Sequence, residues 1–354
     1  MIIINARFLT QSMTGVQRYA LEISRRLRIE FPDDELQFIA PPSILHQQDA
    51  DFLRVKLVGR FTGHLWEQLE LPFYVNKKDL LVNFCNTAPI LIKNKIVAIH
   101  DLAYHLDDGW YNKKFKIFYN FLIPKIFKSS VYIVTVSETI KKEMINHFGS
   151  NYDNNIFVIP CALASDFTTT TTTTTKDKKT LLTVGSLDPR KNLTNLIKAF
   201  DYLENDQIIL KVVGGGAKNF KVNHLNQIQN NQVYFLGRVS DDELRCLYEE
   251  AYAFIFPSFY EGFGIPPLEA LNYDCILLGS DIPVFKEIYQ NSMIYFDPKR
   301  PKAIAEKIDF VFKYPDQAEV FLKGKNKILS KYSFDDSSEK WKALIQSTLQ
   351  DGII

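Results

Sequence analysis

The sequence predicts an α/β protein of two domains, each built on a mostly parallel sheet. Short apolar runs alternate with longer amphipathic segments along the chain, and strands that alternate with helices form βαβ units. The alternation is interrupted once, by eight consecutive threonines at Thr168–Thr175. The chain has 354 residues, which is enough for two domains of ordinary size.

The first half contains seven apolar runs that are predicted to be strands and three longer segments that are predicted to be helices. The strands are Ile2–Asn5, Leu36–Ala40, Val55–Val58, Leu80–Phe84, Ile96–Ile99, Tyr132–Val136 and Ile156–Ile159. The helices are Val16–Ile29, Tyr111–Phe127 and Glu138–Phe148. These elements predict a Rossmann-like domain over residues 1–165.

The second half repeats the pattern. Its predicted strands are Leu181–Gly185, Ile208–Val213, Val233–Leu236, Ala253–Phe256, Ile276–Leu278 and Met293–Phe296. Its predicted helices are Leu193–Leu203, Asp241–Ala251, Pro267–Asn272 and three stretches after Pro301. We expect a threonine-rich linker at 166–179, a second Rossmann-like domain at 180–335, and a C-terminal helix at 336–354 that packs back on the first domain. Parallel sheets bind ligands outside the carboxyl ends of their strands, so two sheets facing one another predict a cleft between them.

Composition excludes several functional classes. The formal net charge is +1, which gives no general field for nucleic acid. The four cysteines lie far apart and no cluster of Cys or His with metal-ligand spacing occurs, so neither a metal site nor a cofactor is predicted. No apolar run approaches the roughly 20 residues that span a bilayer. We expect a cytoplasmic protein.

The stretch Phe256–Ala270 carries the most specific chemistry, with the sequence FPSFYEGFGIPPLEA after one predicted strand and at the start of a helix. Gly262 and Gly264 let the backbone turn sharply and approach a ligand closely. Pro266 and Pro267 fit the first helical turn, where an amide proton is not needed. The free amides and positive dipole of a helix start suit a diphosphate.

Two glutamates stand in this stretch, Glu261 in the loop and Glu269 in the expected first turn of the helix. Both can face one bound ligand, and a carboxylate suits a ribose because two adjacent hydroxyls can each donate to it. On spacing alone, the alternative is that Glu269 caps a helix and Glu261 is a surface charge.

The segment EGFGIPPLEA resembles the E-x7-E signature of retaining nucleotide-sugar glycosyltransferases of family GT4, the glycosyl transferases group 1, which have the GT-B fold. The resemblance implies that Glu261 contacts the hydroxyls of the transferred sugar and that Glu269 binds the ribose. It also implies that the backbone around the loop holds the diphosphate or the sugar. The loop residues are Gly262, Phe263, Gly264 and Ile265.

Two cations, Arg190 and Lys191, follow the strand that ends at Gly185. A diphosphate leaving group gains charge as the glycosidic bond breaks, and cations placed there stabilise it without a metal. Many GT4 members have an arginine where this chain has Ser186, and the chain resembles the branch that reads VG(T/S)LxPRKN. The alternative is a solvated pair of cations in a loop.

Three further positions have weaker signals. Val239 lies in a strand-to-helix loop that the family uses to recognise the base through its backbone. Gly15 lies between the first strand and the predicted helix Val16–Ile29, in a loop that the family places against the donor phosphates and the acceptor. His100 ends a strand in the sequence IHD, where the family has a histidine near the donor sugar. An ordinary turn and a packed core histidine are the alternatives.

The segment from Trp110 to Lys128 combines aromatic residues with five lysines. Such a helix can rest on anionic lipid. The alternative is a core helix with a solvated basic face.

Together these residues predict a retaining, metal-independent transfer of a mannose or rhamnose type hexose from a nucleotide sugar, with GDP-mannose as the first choice. The acceptor is expected to be a saccharide or a lipid-linked saccharide in surface polysaccharide assembly. The first domain would bind the acceptor and the second the donor. The rival hypotheses are a GT-B sugar-nucleotide epimerase and a non-catalytic paralogue that binds sugar nucleotides.

Overall fold

The computed structural model describes residues 1–106, 109–167, 175–215 and 230–350, and it divides into two compact units. Unit 1 comprises Met1–Leu102, Ile117–Ala164 and Tyr332–Ile354; unit 2 comprises Ala103–Lys116 and Ser165–Lys331. The prediction from sequence places residues 103–116 in the first domain and starts the C-terminal segment at 336. In the structure, residues 103–116 belong to unit 2 and the C-terminal segment of unit 1 starts at Tyr332. Most of the threonine run lies outside the described residues.

Unit 1 contains a parallel sheet in the order β3-β2-β1-β4-β5-β6-β7. Its strands are β1 Ile2–Asn5, β2 Leu36–Ala40, β3 Lys56–Leu57, β4 Leu80–Asn83, β5 Lys95–Ala98, β6 Tyr132–Thr135 and β7 Ile156–Val158. Because all of these strands are parallel, their carboxyl ends lie along one edge of the sheet, with β1, β4 and β5 as neighbours.

Helices flank this sheet. They are α1 Gly15–Glu30, α2 Gln47–Phe52, α3 Gly63–Leu65, α4 Lys113–Ser129, α5 Glu138–Phe148 and α13 Phe334–Gln350, where α4 enters unit 1 at Ile117. A π-helical turn, Trp66–Glu70, continues α3. The C-terminal helix α13 packs against α1, and the buried Trp341 donates its indole N–H to the hydroxyl of Tyr19 at 2.6 Å.

Unit 2 contains a second parallel sheet in the order β10-β9-β8-β11-β12-β13. Its strands are β8 Asp177–Val184, β9 Ile209–Val213, β10 Val233–Gly237, β11 Ala251–Phe256, β12 Ile276–Ser280 and β13 Ile294–Phe296. The predicted linker 166–179 is wrong at its end, because Asp177 already pairs with Ala251 of β11. Every residue of β11 is buried, as expected for a parallel strand covered on both faces.

The helices of unit 2 follow its strands. They are α6 Leu193–Ala199, α7 Asp241–Glu250, α8 Ile265–Asn272, α9 Pro283–Tyr289, α10 Pro301–Lys313, α11 Pro315–Glu319 and α12 Lys325–Lys331. A capping box of Ser240 and Glu243 starts α7. Among the described residues, no helix is long and apolar enough to cross a membrane.

Candidate active site

The carboxyl ends of β8 and β11 lie side by side and bring two loops of unit 2 together. The loop after β8 closes in a 3-10 turn, Pro189–Lys191, and the loop after β11 leads into α8. The amide of Phe259 donates to the carbonyl of Arg190 at 2.9 Å, and Asn192 donates to the carbonyl of Pro257 at 3.0 Å. One main-chain hydrogen bond and one from the side-chain amide of Asn192 therefore join the two loops before any charged side chain is considered.

Glu261 lies between the two predicted cations. Lys191 Nζ is 2.6 Å from Glu261 Oε1, and Arg190 Nη1 is 3.1 Å from Glu261 Oε2. The same guanidinium nitrogen donates to the carbonyl of Tyr260 at 2.8 Å. The structure thus brings Arg190, Lys191 and Glu261 together, as the sequence suggested only from their places after strand ends.

The charges of this cluster are held in a dry environment, since Glu261 is only 8% exposed. Burial acts to raise the pKa of Glu261, but Lys191 and then Arg190 outweigh it, so the pKa is lowered. Lys191 Nζ also lies 4.8 Å from the centre of the Phe256 ring, within cation–π range. Glu261 is therefore an anion that partners cations and not a proton donor at neutral pH.

Glu269 is buried, and its partner is a residue that the sequence did not point to. The hydroxyl of Tyr248, on α7, donates to Glu269 Oε2 at 2.9 Å. Tyr248 is fully buried, and burial followed by the charge of Glu269 raises its pKa. Because α8 begins at Ile265, Glu269 lies in the second turn of the helix, and the expectation of the first turn was wrong.

The glycine loop is closely packed, with Gly262, Phe263 and Ile265 all buried. Gly264 has a φ of +98°, in the left-handed region, and precedes the first turn of α8. A Cβ on Gly264 would lie 2.9 Å from Phe285 Cε1. The hydroxyl of Tyr289 donates to the carbonyl of Gly264. A side chain at residue 264 would therefore strain the backbone and press on Phe285.

A second aromatic side chain supports the loop and was also missed. Trp110, from the Ala103–Lys116 segment of unit 2, stacks on Phe259 with ring centres 6.4 Å apart and ring planes 6° apart. Trp110 is buried, so the amino-terminal end of the segment Trp110–Lys128 packs within unit 2 and does not face lipid. No local pattern could have paired two residues so distant in sequence.

Ser186 and Val239 lie near the same edge of the second sheet. Ser186 lines a small pocket with Lys191, Phe256 and other residues. Gly185 next to it is so close to Gly214 that a Cβ on Gly214 would lie 1.7 Å from the Gly185 carbonyl oxygen. The amide of Gly214 in turn donates to the carbonyl of Gly237, two residues before Val239, at 2.7 Å.

The two remaining predicted residues, His100 and Gly15, belong to unit 1. His100 is buried after β5, its Nε2 lies 2.7 Å from the carbonyl oxygen of Phe84, and its ring meets Tyr19 edge to face. Burial lowers the pKa of His100, so the ring is neutral, and Nε2 carries the proton that Phe84 accepts. Only Nδ1 remains for a ligand. Gly15 begins α1 and is exposed.

Comparison with solved structures gives the fold of the chain. In fold, it is similar to the Anabaena protein HepE solved in complex with UDP and glucose, with a TM-score of 0.73 at 13% identity over 98% of this chain and 99% of that one. The two Rossmann-like units are those of a GT-B protein.

The sequence comparisons find a family match in unit 2 and relatives over nearly the whole chain. Residues 168–327 match the family model described as "Glycosyl transferases group 1". The O-antigen chain mannosyltransferase RfbU of Salmonella typhimurium is 26% identical over 96% of this chain and 97% of its own length. The O-antigen chain mannosyltransferase B of Escherichia coli is 24% identical over 84% and 86%. The group 1 match is confined to residues 168–327, and the similarity to named mannosyltransferases over nearly the whole length makes the chain a glycosyltransferase.

We predict that Gly264→Ala destabilises unit 2 by about 1–3 kcal/mol, because alanine must adopt the left-handed backbone and displace Phe285. Gly237→Ala is the matched control, since Gly237 also has a positive φ, +71°, but nothing lies within 4 Å of its added Cβ. Gly237→Ala should lower the free energy of unfolding by about 1 kcal/mol. Urea unfolding measures both; equal costs would show that the contact with Phe285 has no effect.

Proposed function

We propose that this enzyme transfers a hexose from a nucleotide sugar with retention of configuration and without a metal ion. The observation that carries the proposal is the buried anion Glu261 held by Lys191 and Arg190 at the carboxyl ends of β8 and β11. The names of the similar mannosyltransferases favour mannose, and GDP-mannose is the first choice of donor.

The cation pair suits the diphosphate of the donor. Lys191 and Arg190 are fixed by Glu261 before a ligand arrives, so little reorganisation is needed when negative charge develops on the leaving group. An entering diphosphate takes over part of the attraction of both cations. The Glu261 carboxylate is then available to accept hydrogen bonds from hydroxyls of the sugar.

The ribose belongs to Glu269 in this proposal. Tyr248 donates to Oε2 and thereby fixes the plane of the carboxylate on a helix that is itself buried. A carboxylate whose orientation is fixed can accept from two adjacent ribose hydroxyls at a low entropic cost.

The reaction proceeds on one face of the sugar. The bond between the anomeric carbon and the phosphate oxygen breaks, a bond to the acceptor oxygen forms, and the leaving phosphate takes the acceptor's proton. Glu261 is a poor covalent nucleophile because two cations hold its oxygens.

The only Asp-x-Asp sequence of the chain, Asp49–Asp51, lies in α2, where Arg25 binds Asp49 at 2.6 Å. This supports metal independence.

A thermal-shift panel of GDP-, UDP- and dTDP-sugars tests the proposal, with each ligand measured with and without EDTA. Binding to the folded state raises the melting temperature, and we expect the largest rise with GDP-mannose, unchanged by EDTA. Lys191→Met should weaken donor binding roughly 10- to 100-fold, because a charge-assisted contact is lost. Lys198→Met, at an exposed lysine of α6, should bind as the wild type does.

Three outcomes would contradict the proposal. An EDTA-sensitive response contradicts metal independence, and unchanged donor affinity in Lys191→Met contradicts the site. Conversion of the donor to an epimer in the absence of any acceptor would favour the rival epimerase, which shares the double Rossmann plan.

We further propose that the first unit binds the acceptor and rests on anionic phospholipid through α4. Ile117, Phe121, Lys125 and Lys128 are spaced three or four residues apart and so share one face of the helix. Ile117 is 71% and Phe121 58% exposed, and Lys125 Nζ lies 3.6 Å from the centre of the Phe121 ring. A lipid-linked saccharide acceptor suits an enzyme held at such a surface.

A pocket at the end of the helix supplies the charge for this contact. It is an open depression of about 530 Å³ lined by Lys93, Lys125, Lys128, Ser129, Ser130 and Val131. Three ammonium groups around one depression complement a phosphate headgroup, while exposed apolar side chains on the same helix can enter the interface.

Cosedimentation with vesicles tests the membrane contact. We expect binding to vesicles that contain phosphatidylglycerol and none to pure phosphatidylcholine, with high salt releasing the protein. Lys125→Glu should lower the partition coefficient roughly tenfold. Lys142→Glu, an equal charge change at an exposed site on α5, should have a much smaller effect. If both variants lower the partition coefficient equally, the decrease reflects net charge alone, which would contradict the assignment to α4.

A further inference from the structure

A second polar cluster lies buried in unit 1, at the carboxyl ends of β1 and β4. Arg7 Nε is 3.0 Å from Glu67 Oε2, and both residues are buried. Asn5 donates to the same carboxylate oxygen at 3.0 Å and to Asn83 at 2.7 Å, while Arg7 donates to Thr87 at 2.9 Å. A buried ion pair is often no more stabilising than apolar residues of similar volume, so stability alone does not explain it.

The carboxylate of this cluster comes from an unusual piece of backbone. Glu67 lies in the π-helical turn Trp66–Glu70, and such turns are rare and occur frequently at functional sites. Trp66 is fully buried and donates its indole N–H to the carbonyl of Val58 at 2.8 Å, which holds the turn in place. The turn directs the Glu67 side chain into the interior of unit 1, three residues after His64.

Glu67 orients His64. His64 Nδ1 lies 3.5 Å from Glu67 Oε1, and its Nε2 lies 3.4 Å from the hydroxyl of Tyr119. Burial acts to raise the pKa of Glu67, but Arg7 and His64 outweigh it and bring the pKa to about 2. In the neutral ring, the Glu67 carboxylate on the Nδ1 side favours the tautomer that carries its proton there, and in that tautomer Nε2 accepts a hydrogen bond from a hydroxyl.

Aromatic side chains surround the partly exposed imidazole. The side chain of His64 is 35% exposed, and its ring centre lies 5.1 Å from that of Phe118 and 6.0 Å from that of Tyr119. Phe118 itself is 38% exposed. An aromatic face beside fixed hydroxyl partners is the chemistry that a pyranose needs, since a sugar ring has one apolar C–H face and a rim of hydroxyls.

We propose that His64, Tyr119 and Phe118 form a saccharide-binding subsite of unit 1, and that Glu67 is the residue that positions His64. A hydroxyl of a pyranoside donates to His64 Nε2, in place of or together with Tyr119, and the C–H face of the sugar lies on Phe118. The inference rests on the proposed function, because it assigns the acceptor of that reaction to these residues.

Two conservative variants isolate the polar contacts. His64→Phe keeps an aromatic ring against Phe118 but removes both nitrogens, and Tyr119→Phe removes only the hydroxyl. Both leave the buried pair of Arg7 and Glu67 in place, so both should fold. His147→Phe is the matched control, because His147 is an exposed histidine of the same unit, on α5.

The test measures saturation transfer by NMR from the full-length protein to methyl α-mannopyranoside and methyl α-rhamnopyranoside. We expect transfer to at least one glycoside in the wild type and in His147→Phe, and loss of that transfer in His64→Phe and in Tyr119→Phe. The subsite is wrong if neither glycoside receives magnetisation from the wild type, or if the His64→Phe signal equals that of the wild type.

Nucleotide-sugar thermal shifts measured on the same four proteins separate this inference from the proposed function. The shift should be the same in all four, since the subsite acts on the acceptor alone. A wild type without any donor shift would sink the proposed function. A normal donor shift together with a glycoside signal that does not depend on His64 would contradict only the subsite. Loss of both the donor shift and the glycoside signal in His64→Phe would also contradict only the subsite.

Discussion

The candidate site depends on one interaction, the buried contact of Glu261 with Arg190 and Lys191. Its members come from two loops that meet because β8 and β11 are adjacent in the sheet. Removing one member leaves the others as charges in a dry environment, which is far more costly than losing a surface ion pair. The groups that lock the loops together are also those placed to meet a nucleotide sugar, so binding exchanges one set of ionic contacts for another.

Most of the strands were predictable because parallel strands buried on both faces are continuous apolar runs. Each predicted strand has a counterpart in the described residues, including β3 and β10, which are largely exposed. The helix α9 and the π-helical turn at Trp66–Glu70 were not predicted, since neither has a distinctive local pattern. The assignment of Ala103–Lys116 to unit 2 could not be predicted either. It depends on contacts such as the stacking of Trp110 on Phe259, which are distant in sequence.

The candidate site was predictable where residue type and position after a strand were informative, as for Glu261, Arg190 and Lys191. What sequence could not supply was the pairing: that both cations contact one carboxylate, and that Tyr248 holds Glu269. The Arg7–Glu67 pair was missed for the same reason, because its two residues lie 60 positions apart. Such contacts are set by tertiary packing, and the local periodicity of the sequence does not predict them.

A double-mutant cycle of Lys191→Met and Glu261→Gln, with unfolding free energy and donor affinity measured on each protein, tests the central claim most directly. We expect the two stability losses to be non-additive, with a coupling of about 1–3 kcal/mol, because either single variant already removes the contact between Lys191 and Glu261 and the double variant cannot lose it again. Donor affinity should be low in both single variants and should not recover in the double variant. Additive stabilities, or wild-type donor affinity in the double variant, would contradict the account.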